Sequence, residues 1–285
     1  MLGTGATAGA AASAVALLGA GLGIALLGFL DDHGHIAARW RLLGHFLAAA
    51  WALYWLGGLP PLAVFGGLLQ LSWIGHVLAA FYLVWLLNLY NFMDGSDGLA
   101  GGMAVFGFGA FAWAAAMGGE AGLAVLCAGV AAAAAGFLCF NFHPARIFMG
   151  DVGSVPLGFL GGALGLVGWR AGAWPLWFPL LVFAPFIFDA TVTLLRRALR
   201  GEKVWQAHRS HYYQRMVQMG LGHRGTALRA YGLMAGCGAA ALAGLRMGFS
   251  LQCAIITMCI TAHLIVGYRI DRAWRRHRAG EPAEP

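Results

Sequence analysis

Long apolar stretches are the feature that most constrains this chain. A helix needs roughly 20 apolar residues to cross about 30 Å of hydrocarbon, and about nine stretches approach that length. Because only 10% of the residues are charged, too few polar side chains remain to cover the surface of a soluble protein. The sequence therefore predicts an all-α integral membrane protein, a polytopic bundle of about nine transmembrane helices with cytoplasmic active-site loops. The spans are predicted at residues 8–30, 42–58, 73–91, 101–117, 121–140, 155–169, 174–195, 227–245 and 251–268.

The connections between these stretches are short except at residues 196–226. We therefore expect a single polytopic domain over residues 1–270, followed by a loose cytoplasmic tail over residues 271–285. Lys and Arg accumulate on the cytoplasmic side of membrane spans. If the first span ends inside, all but Arg170 and Arg246 of the 18 Lys and Arg residues are cytoplasmic. Topology then explains the net charge of +7, and no nucleic-acid partner need be invoked.

Acidic residues are few, and six aspartates are predicted to reach the same cytoplasmic side. One aspartate at a span end is ordinary solvation of a helix terminus, but six on one leaflet indicate a shared site. The six are Asp31, Asp32, Asp94, Asp97, Asp151 and Asp189.

Asparagines accompany these carboxylates in the run from Asn88 to Gly98. Asn88 and Asn91 share one side of a helix end, and Gly95 and Gly98 permit tight backbone turns. We expect carboxylates and amides to face a common polar pocket. The residues recurring at every third position are Asn88, Asn91, Asp94 and Asp97.

Two further segments carry polar groups between spans. In the segment from Asn141 to Ser154, a proline ends one helix and Asp151 lies between glycines near a potential helix cap. The segment His208-Arg-Ser-His211 follows a basic run, and its histidines would share one face if it is helical. Such a pair is more often surface than ligand. Beside cationic residues, however, imidazoles suit a phosphate better than a metal.

Carboxylates able to hold Mg²⁺, orienting amides and a basic histidine segment together suit a phosphorylated substrate at the membrane surface. Phosphoryl transfer must bring two anions together. A divalent metal on hard oxygen ligands neutralises that charge. We therefore predict phosphoryl transfer as the reaction class.

In these segments the chain resembles the polyprenyl-phosphate N-acetylhexosamine-1-phosphate transferase family, of the glycosyltransferase 4 type. The resemblance spans about Gly28 to Arg272. It is most similar to the O-antigen initiating branch, which uses UDP-linked N-acetylfucosamine or N-acetylquinovosamine. The motifs are Leu30-Asp-Asp-His33, the run from Asn88 to Gly98, Phe148-Met-Gly-Asp-Val-Gly-Ser154 and His208-Arg-Ser-His-Tyr-Tyr-Gln-Arg215.

The resemblance implies an activity and its partners. A sugar 1-phosphate would pass from a UDP-N-acetylhexosamine to undecaprenyl phosphate, releasing UMP and forming the lipid-linked pyrophosphoryl sugar that initiates O-antigen or related cell-envelope polysaccharide synthesis. The cofactor would be Mg²⁺, with Mn²⁺ as the alternative. The enzyme would lie in the lipid bilayer of the bacterial inner (plasma) membrane, and a homodimer is compatible with the resemblance.

The resemblance also implies residue roles. Asp31 would deprotonate the lipid phosphate with support from Asp32, and Asp151 would be a catalytic metal ligand. Asp94 and Asp97 would assist the metal or line the nucleotide pocket. Direct attack and a covalent aspartyl intermediate both stay open. The implied substrate-binding residues are Asn88, Asn91, Asp94, Asp97, Asn141, Asp189, His208, Arg209 and His211.

Full members of the family carry two additional spans ahead of the aspartate pair, which residues 1–28 do not match. We therefore expect an N-terminally shortened transferase. Two alternatives stay open: a membrane transporter, whose acids would lie near the membrane midplane, and a catalytically impaired relic of the transferase. A CDP-alcohol type phosphotransferase is disfavoured, because its Asp-Gly-x-x-Ala-Arg pattern is absent after Asp94 and Asp97.

Overall fold

The computed structural model describes residues 3–64, 67–204, 206 and 208–280. Eleven α-helices make up most of this part of the chain. They are α1 (Gly3–Gly34), α2 (Ala38–Leu56), α3 (Ser72–Phe92), α4 (Leu99–Met117), α5 (Ala121–Asn141), α6 (Gly150–Arg170), α7 (Trp177–Val182), α8 (Ala184–Leu199), α9 (Tyr212–Met216), α10 (Gly222–Gly244) and α11 (Phe249–Gly280).

Two of the connections between α-helices contain regular structure of another kind. A short antiparallel hairpin, β1 (Leu62–Val64) and β2 (Gly67–Leu69), joins α2 to α3 within the helical fold that the sequence predicted. A π-helical turn, Val217–Leu221, joins α9 to α10, and within it Gly220 has a φ of 92°. Because a positive φ is costly for residues with a side chain, glycine suits this bend.

Six helices of the described chain are long and apolar enough to cross a membrane. Their lipid-accessible surfaces are apolar: Val125 on α5 is 73% exposed and Leu264 on α11 is 56% exposed. Such surfaces are stable in hydrocarbon, where a helix also satisfies its own backbone hydrogen bonds. The chain is therefore a multi-pass membrane protein. The six candidate spans are Ala11–Gly34, Ser72–Phe92, Leu99–Met117, Ala121–Asn141, Gly150–Arg170 and Phe249–Gly280.

The stretch predicted as one span at residues 174–195 is divided between α7 and α8. At the break, the Phe183 carbonyl accepts hydrogen bonds from the backbone N–H groups of Phe186 and Ile187, at 3.1 and 3.0 Å. Pro185 has no N–H to donate to the preceding turn, which explains the interruption. Neither α2, α10 nor this divided stretch is among the six candidate spans, so the count of about nine stays a prediction.

Backbone contacts group the chain into two compact units, where the sequence predicted one domain over residues 1–270. The first unit contains Met1–Asp94, Phe111–Cys127 and Met149–Pro179. The second contains Gly95–Ala110, Ala128–Phe148 and Leu180–Pro285. Helices α4 and α5 therefore each contribute residues to both units.

The first unit is organised around α6, which packs against α1 and α3, while α2 packs against α1 and α3. Glycine at position 158 allows the closest approach: a Cβ there would lie 2.6 Å from the Cα of Leu87 and 2.7 Å from the Cβ of Tyr90. Small residues at such crossings let membrane helices gain van der Waals contact. This packing brings the cytoplasmic ends predicted for α1, α3 and α6 into one unit.

In the second unit, α8, α9, α10 and α11 pack against one another. Helix α11 has 32 residues and is therefore about 48 Å long at 1.5 Å per residue. That length exceeds the hydrocarbon thickness of about 30 Å. Residues 271–280, predicted as part of a loose tail, instead continue this helix. The remainder of the predicted tail, residues 281–285, lies outside the described residues.

We expect Gly158→Ala to destabilise the protein, because the new methyl group would meet backbone atoms of α3 that cannot rotate away. Overpacking of this kind costs about 1–3 kcal/mol. Gly109→Ala is the matched control, since a Cβ on Gly109 meets nothing within 4 Å. Thermal unfolding of the two purified variants in detergent measures the difference. Equal midpoints would contradict the close packing of α6 on α3.

Candidate active site

Asp32 joins the end of α1 to the beginning of α6. Its carboxylate accepts hydrogen bonds from the backbone N–H groups of Asp151, at 3.0 Å, and Val152, at 3.1 Å. These N–H groups lie in the first turn of α6 and have no partner within the helix. The N-terminus of a helix also carries partial positive charge, which attracts the carboxylate of Asp32. Asp32 thus provides the cap of this helix end.

A glycine makes this junction possible. A Cβ on Gly28 would lie 2.6 Å from the backbone carbonyl carbon of Asp151. Any larger residue at position 28 would therefore push α6 away from α1, and with it Asp151 away from Asp31 and Asp32. The motif Gly28-Phe-Leu-Asp-Asp32 combines the acids with the small residue that lets them approach Asp151.

Arg41, at the start of α2, links two of the predicted catalytic carboxylates. Its Nη1 contacts Oδ2 of Asp31 and lies 3.1 Å from Oδ2 of Asp151. The backbone N–H of Ile36 also donates to Asp31, at 2.6 Å. The positive guanidinium therefore compensates the negative charges of both carboxylates. Sequence reasoning counted Arg41 only among the cytoplasmic basic residues, although it lies just ten residues after Asp31.

Asn91 connects α3 to the same group. Its side-chain amide donates to Oδ1 of Asp151 at 2.6 Å and to Oγ of Ser154 at 2.9 Å. Asn88 has different neighbours: its amide donates to the Val84 carbonyl at 2.7 Å and lies 3.4 Å from Nδ1 of His45. Of the two asparagines, Asn91 is thus the one that contacts the carboxylates.

Asp94 follows α3 and completes the first unit's acidic group, which we call the carboxylate cluster: Asp31, Asp32, Asp94 and Asp151. Burial, together with the negative charges of Asp151 and Asp32, raises the pKa of Asp94 to about 7. Like charges held close together favour protonation or a bound cation. Three acid, histidine or cysteine side chains already placed to hold a metal are not found among the described residues. Mg²⁺ commonly takes only one or two carboxylates and completes its shell with water and substrate phosphates, so a site for that ion needs fewer than three such side chains.

Asp97 belongs to the second unit and is already engaged. Its Oδ2 accepts hydrogen bonds from Nδ1 of His143, at 2.7 Å, and the backbone N–H of Ala145, at 3.2 Å. Partial burial opposes ionisation, but these hydrogen bonds and the nearby His223 outweigh it and lower the pKa of Asp97. Asp97 is therefore held as a carboxylate by histidines that sequence reasoning did not assign to the site.

Asn141 is buried at the end of α5 and joins two backbone segments. Its Oδ1 accepts the N–H of Gly98 at 3.0 Å, and its Nδ2 donates to the Ile147 carbonyl at 2.9 Å. Gly98 has a φ of 74°, a conformation that favours glycine. The side chain predicted to bind substrate phosphates thus also fixes the loops on either side of it.

Asp189, in α8, is only 6% exposed. Its carboxylate accepts the backbone N–H groups of Tyr212 and Tyr213, at 2.8 and 3.0 Å. Its Oδ1 also lies 3.2 Å from Nδ1 of His211, within hydrogen-bond distance. Asp189 is thus a buried anchor for the beginning of α9, and its implied role in substrate binding stays a prediction.

The histidine segment, residues 208–211, is a loop, so its histidines do not share a helical face. They nevertheless lie together, with ring centroids 4.7 Å apart. His211 is 2% exposed, whereas Arg209 is exposed. The side chain of Tyr213 lies against Gly95, where a Cβ would be 2.2 Å from the phenol oxygen. The second unit therefore places the histidine segment beside the Gly95–Gly98 turn.

Comparison with known proteins identifies the relatives of this chain. The sequence profile described as glycosyl transferase family 4 matches residues 14–168. A probable undecaprenyl-phosphate N-acetylglucosaminyl 1-phosphate transferase from Bacillus subtilis is 36% identical over 164 residues, which are 57% of this chain and 46% of the relative. Phospho-N-acetylmuramoyl-pentapeptide-transferase from Geobacillus kaustophilus is 39% identical over 150 residues, 48% of this chain and 46% of the relative.

The same transferase from Desulforamulus reducens is 38% identical over 170 residues, 54% of this chain and 50% of the relative. The chain thus spans about half the length of the curated relatives it matches. The matched profile covers more than half of the chain and includes the entire carboxylate cluster. The chain therefore belongs to glycosyl transferase family 4, the family of polyprenyl-phosphate N-acetylhexosamine-1-phosphate transferases.

Proposed function

We propose that this protein transfers an N-acetylhexosamine 1-phosphate from a UDP-sugar to undecaprenyl phosphate and releases UMP. The observation that carries the proposal is the carboxylate cluster, in which Asp32 caps α6 while Arg41 joins Asp31 to Asp151. These groups lie at the ends of apolar helices, where a lipid-borne phosphate can reach them while its chain stays in hydrocarbon. The names of the relatives support the same class of reaction.

The proposed setting is the cytoplasmic face of the bacterial inner membrane. It rests on the Lys and Arg bias, which puts the ends of α1, α3 and α5 and the start of α6 on that face. The same bias supports about nine spans. If α2, the α7–α8 stretch and α10 also cross the membrane, the basic segments that follow or precede them lie on the cytoplasmic side. A homodimer in the bilayer is part of this proposal.

The sugar is proposed as an N-acetylhexosamine, and the product as an initiator of O-antigen or a related envelope polysaccharide. The histidine motif favours N-acetylfucosamine or N-acetylquinovosamine, while the name of the Bacillus subtilis relative favours N-acetylglucosamine. A substrate panel containing all three UDP-sugars separates these branches.

In the proposed reaction, a phosphate oxygen of undecaprenyl phosphate forms a bond to the phosphorus that carries the sugar. The bond from that phosphorus to the oxygen shared with UMP breaks, and its electron pair leaves on UMP. Asp31 accepts the proton of the lipid phosphate, while Asp32 keeps the first turn of α6 against α1. The same residues serve a direct displacement or a covalent aspartyl intermediate.

Asp151 and Asp94, both in the first unit, are the side chains that would hold Mg²⁺ or Mn²⁺, and the expectation that Asp97 also assists the metal stays a prediction. When bound, the metal supplies neutralisation of the diphosphate charge. Asn91 orients Asp151, and Asn88 supports the same helix end. In the second unit, His208 and Arg209 are proposed to contact the diphosphate, with Asn141, Asp189 and the buried His211 holding the surrounding loops.

Loss of either central carboxylate should abolish turnover. We expect Asp31→Asn and Asp151→Asn each to lower UMP release by about a hundredfold or more, the scale of a lost general base or charge partner. The measurement uses purified protein in detergent with undecaprenyl phosphate, Mg²⁺ and the UDP-sugar panel. Glu120→Gln is the matched control, because Glu120 lies in the connection between α4 and α5.

The outcomes of this assay separate the competing functions. Near-normal UMP release by both variants would contradict the assigned roles. No release with any sugar by the unsubstituted protein would overturn the transferase proposal and favour the impaired relic or the transporter. In that case, uptake of radiolabelled sugar or ion into proteoliposomes distinguishes the last two.

The raised pKa of Asp94 predicts a pH effect on stability in metal-free protein. The group ionises near pH 7 when folded, against an ordinary value of 3.8. Between these values the unfolded chain binds fewer protons, so Asp94 lowers folded stability progressively as the pH rises toward about 7. The unfolding midpoint in EDTA should therefore fall more between about pH 5 and about pH 8 for the unsubstituted protein than for Asp94→Asn. Parallel curves would contradict the crowding of Asp94 by Asp151 and Asp32.

A further inference from the structure

Asp271 contacts residues of two other helices in the second unit, although the sequence placed it in a loose tail. It lies on the part of α11 that extends beyond the predicted span 251–268. Its Oδ2 accepts a hydrogen bond from Nη1 of Arg196 at 2.7 Å, and its Oδ1 accepts one from Nη1 of Arg215 at 2.8 Å. One carboxylate thus joins α8, α9 and α11.

Tyr212 lies between these charges. The guanidinium carbons of Arg196 and Arg215 are 5.6 and 5.4 Å from its ring centroid, within the range of cation–π attraction. Burial raises the pKa of Tyr212 to about 12, and the negative charge of Asp271 adds to the effect. The phenol therefore stays protonated, and its O–H lies 3.4 Å from Oδ2 of Asp271 as a donor.

Arg215 carries this anchorage into the histidine segment. Its Nε donates to the backbone carbonyl of Ser210 at 2.8 Å, and the hydroxyl of Ser210 lies 2.8 Å from Nδ1 of His208. The side chain of Arg215 is 13% exposed. A buried guanidinium requires a charge partner, because removal of one partner leaves the other uncompensated. Asp271 therefore determines where Arg215, and through it Ser210 and His208, can lie.

A second carboxylate holds the next residue of the same segment. Asp189 accepts the N–H groups of Tyr212 and Tyr213 and lies against His211. The histidine segment is thus fixed at His211 by an acid on α8 and at Ser210 by an acid on α11. Charge-assisted hydrogen bonds are the stronger kind, so this loop is held more rigidly than its lack of regular structure indicates.

We infer that Asp271 is a positioning residue for the histidine segment, acting through Arg215 to hold His208 in place for the diphosphate of the UDP-sugar. The identity of the bound group rests on the proposed function, whereas the positioning itself does not. Asp271 touches no reacting atom in this scheme. Its removal should therefore weaken use of the UDP-sugar and leave use of the lipid acceptor unchanged.

Hydrogen–deuterium exchange of the purified protein in detergent tests the positioning directly. We expect Asp271→Asn to increase exchange of the backbone amides at residues 210–215 about tenfold, the scale of one lost charge-assisted hydrogen bond. Glu202→Gln is the matched control, because it removes the charge of a carboxylate that pairs with a different arginine of the same unit, Arg197, at 2.7 Å. Unchanged exchange in Asp271→Asn would overturn the inference.

Kinetics test whether the positioning serves the reaction. Asp271→Asn should raise KM for the UDP-sugar about tenfold and leave KM for undecaprenyl phosphate unchanged. In a His208→Ala background the same substitution should add little, because both changes act on one contact. Equal effects in both backgrounds, or equal changes in both KM values, would show general destabilisation and overturn the inference.

Asp271→Glu preserves the carboxylate and provides the second variant where Asp271→Asn does not fold. We expect it to restore at least half of the lost exchange protection; protection no better than in an Asp271→Ala protein would contradict a role for the charge. If the unsubstituted protein releases no UMP with any sugar, the proposed function fails. The exchange comparison still decides whether Asp271 positions the segment.

Discussion

The contact between the end of α1 and the start of α6 is the interaction on which the first unit's polar site depends. Asp32 satisfies two backbone N–H groups of α6, and the absence of a side chain at Gly28 lets the two helices meet. Without that approach, Asp31 and Asp151 could not share Arg41. The local chemistry thus follows from a helix cap and a glycine, two elementary properties of backbone structure.

In the second unit, irregular loops are held in place beside apolar helices. Buried polar side chains replace secondary structure there: Asn141 joins the Gly98 turn to Ile147, and Asp189 caps α9. Each such group has its hydrogen-bonding capacity met by backbone atoms, as burial requires. A polar residue in a motif can therefore be required for the hydrogen bonds that hold a loop, even where its type also suits a substrate ligand.

The sequence predicted the helices well where a long apolar run ended in polar residues, as at Asp32 and Asn91. It also predicted that Asp31, Asp94 and Asp151 lie close together, a consequence of assigning all three to one membrane face. It did not predict the break before Ala184, because hydropathy does not register the loss of one N–H at Pro185. The partners of Asp189 and Asp271 were also missed, since they come from distant positions that no periodicity reveals.

Helix α11 ties the histidine segment to the dimensions of the bilayer. Its apolar part is long enough to span the hydrocarbon, and Asp271 lies on the same continuous helix. Because a membrane helix can answer a change of bilayer thickness by tilting, we expect such a change to act on the contacts of Asp271 with Arg196 and Arg215, and through them on the histidine segment.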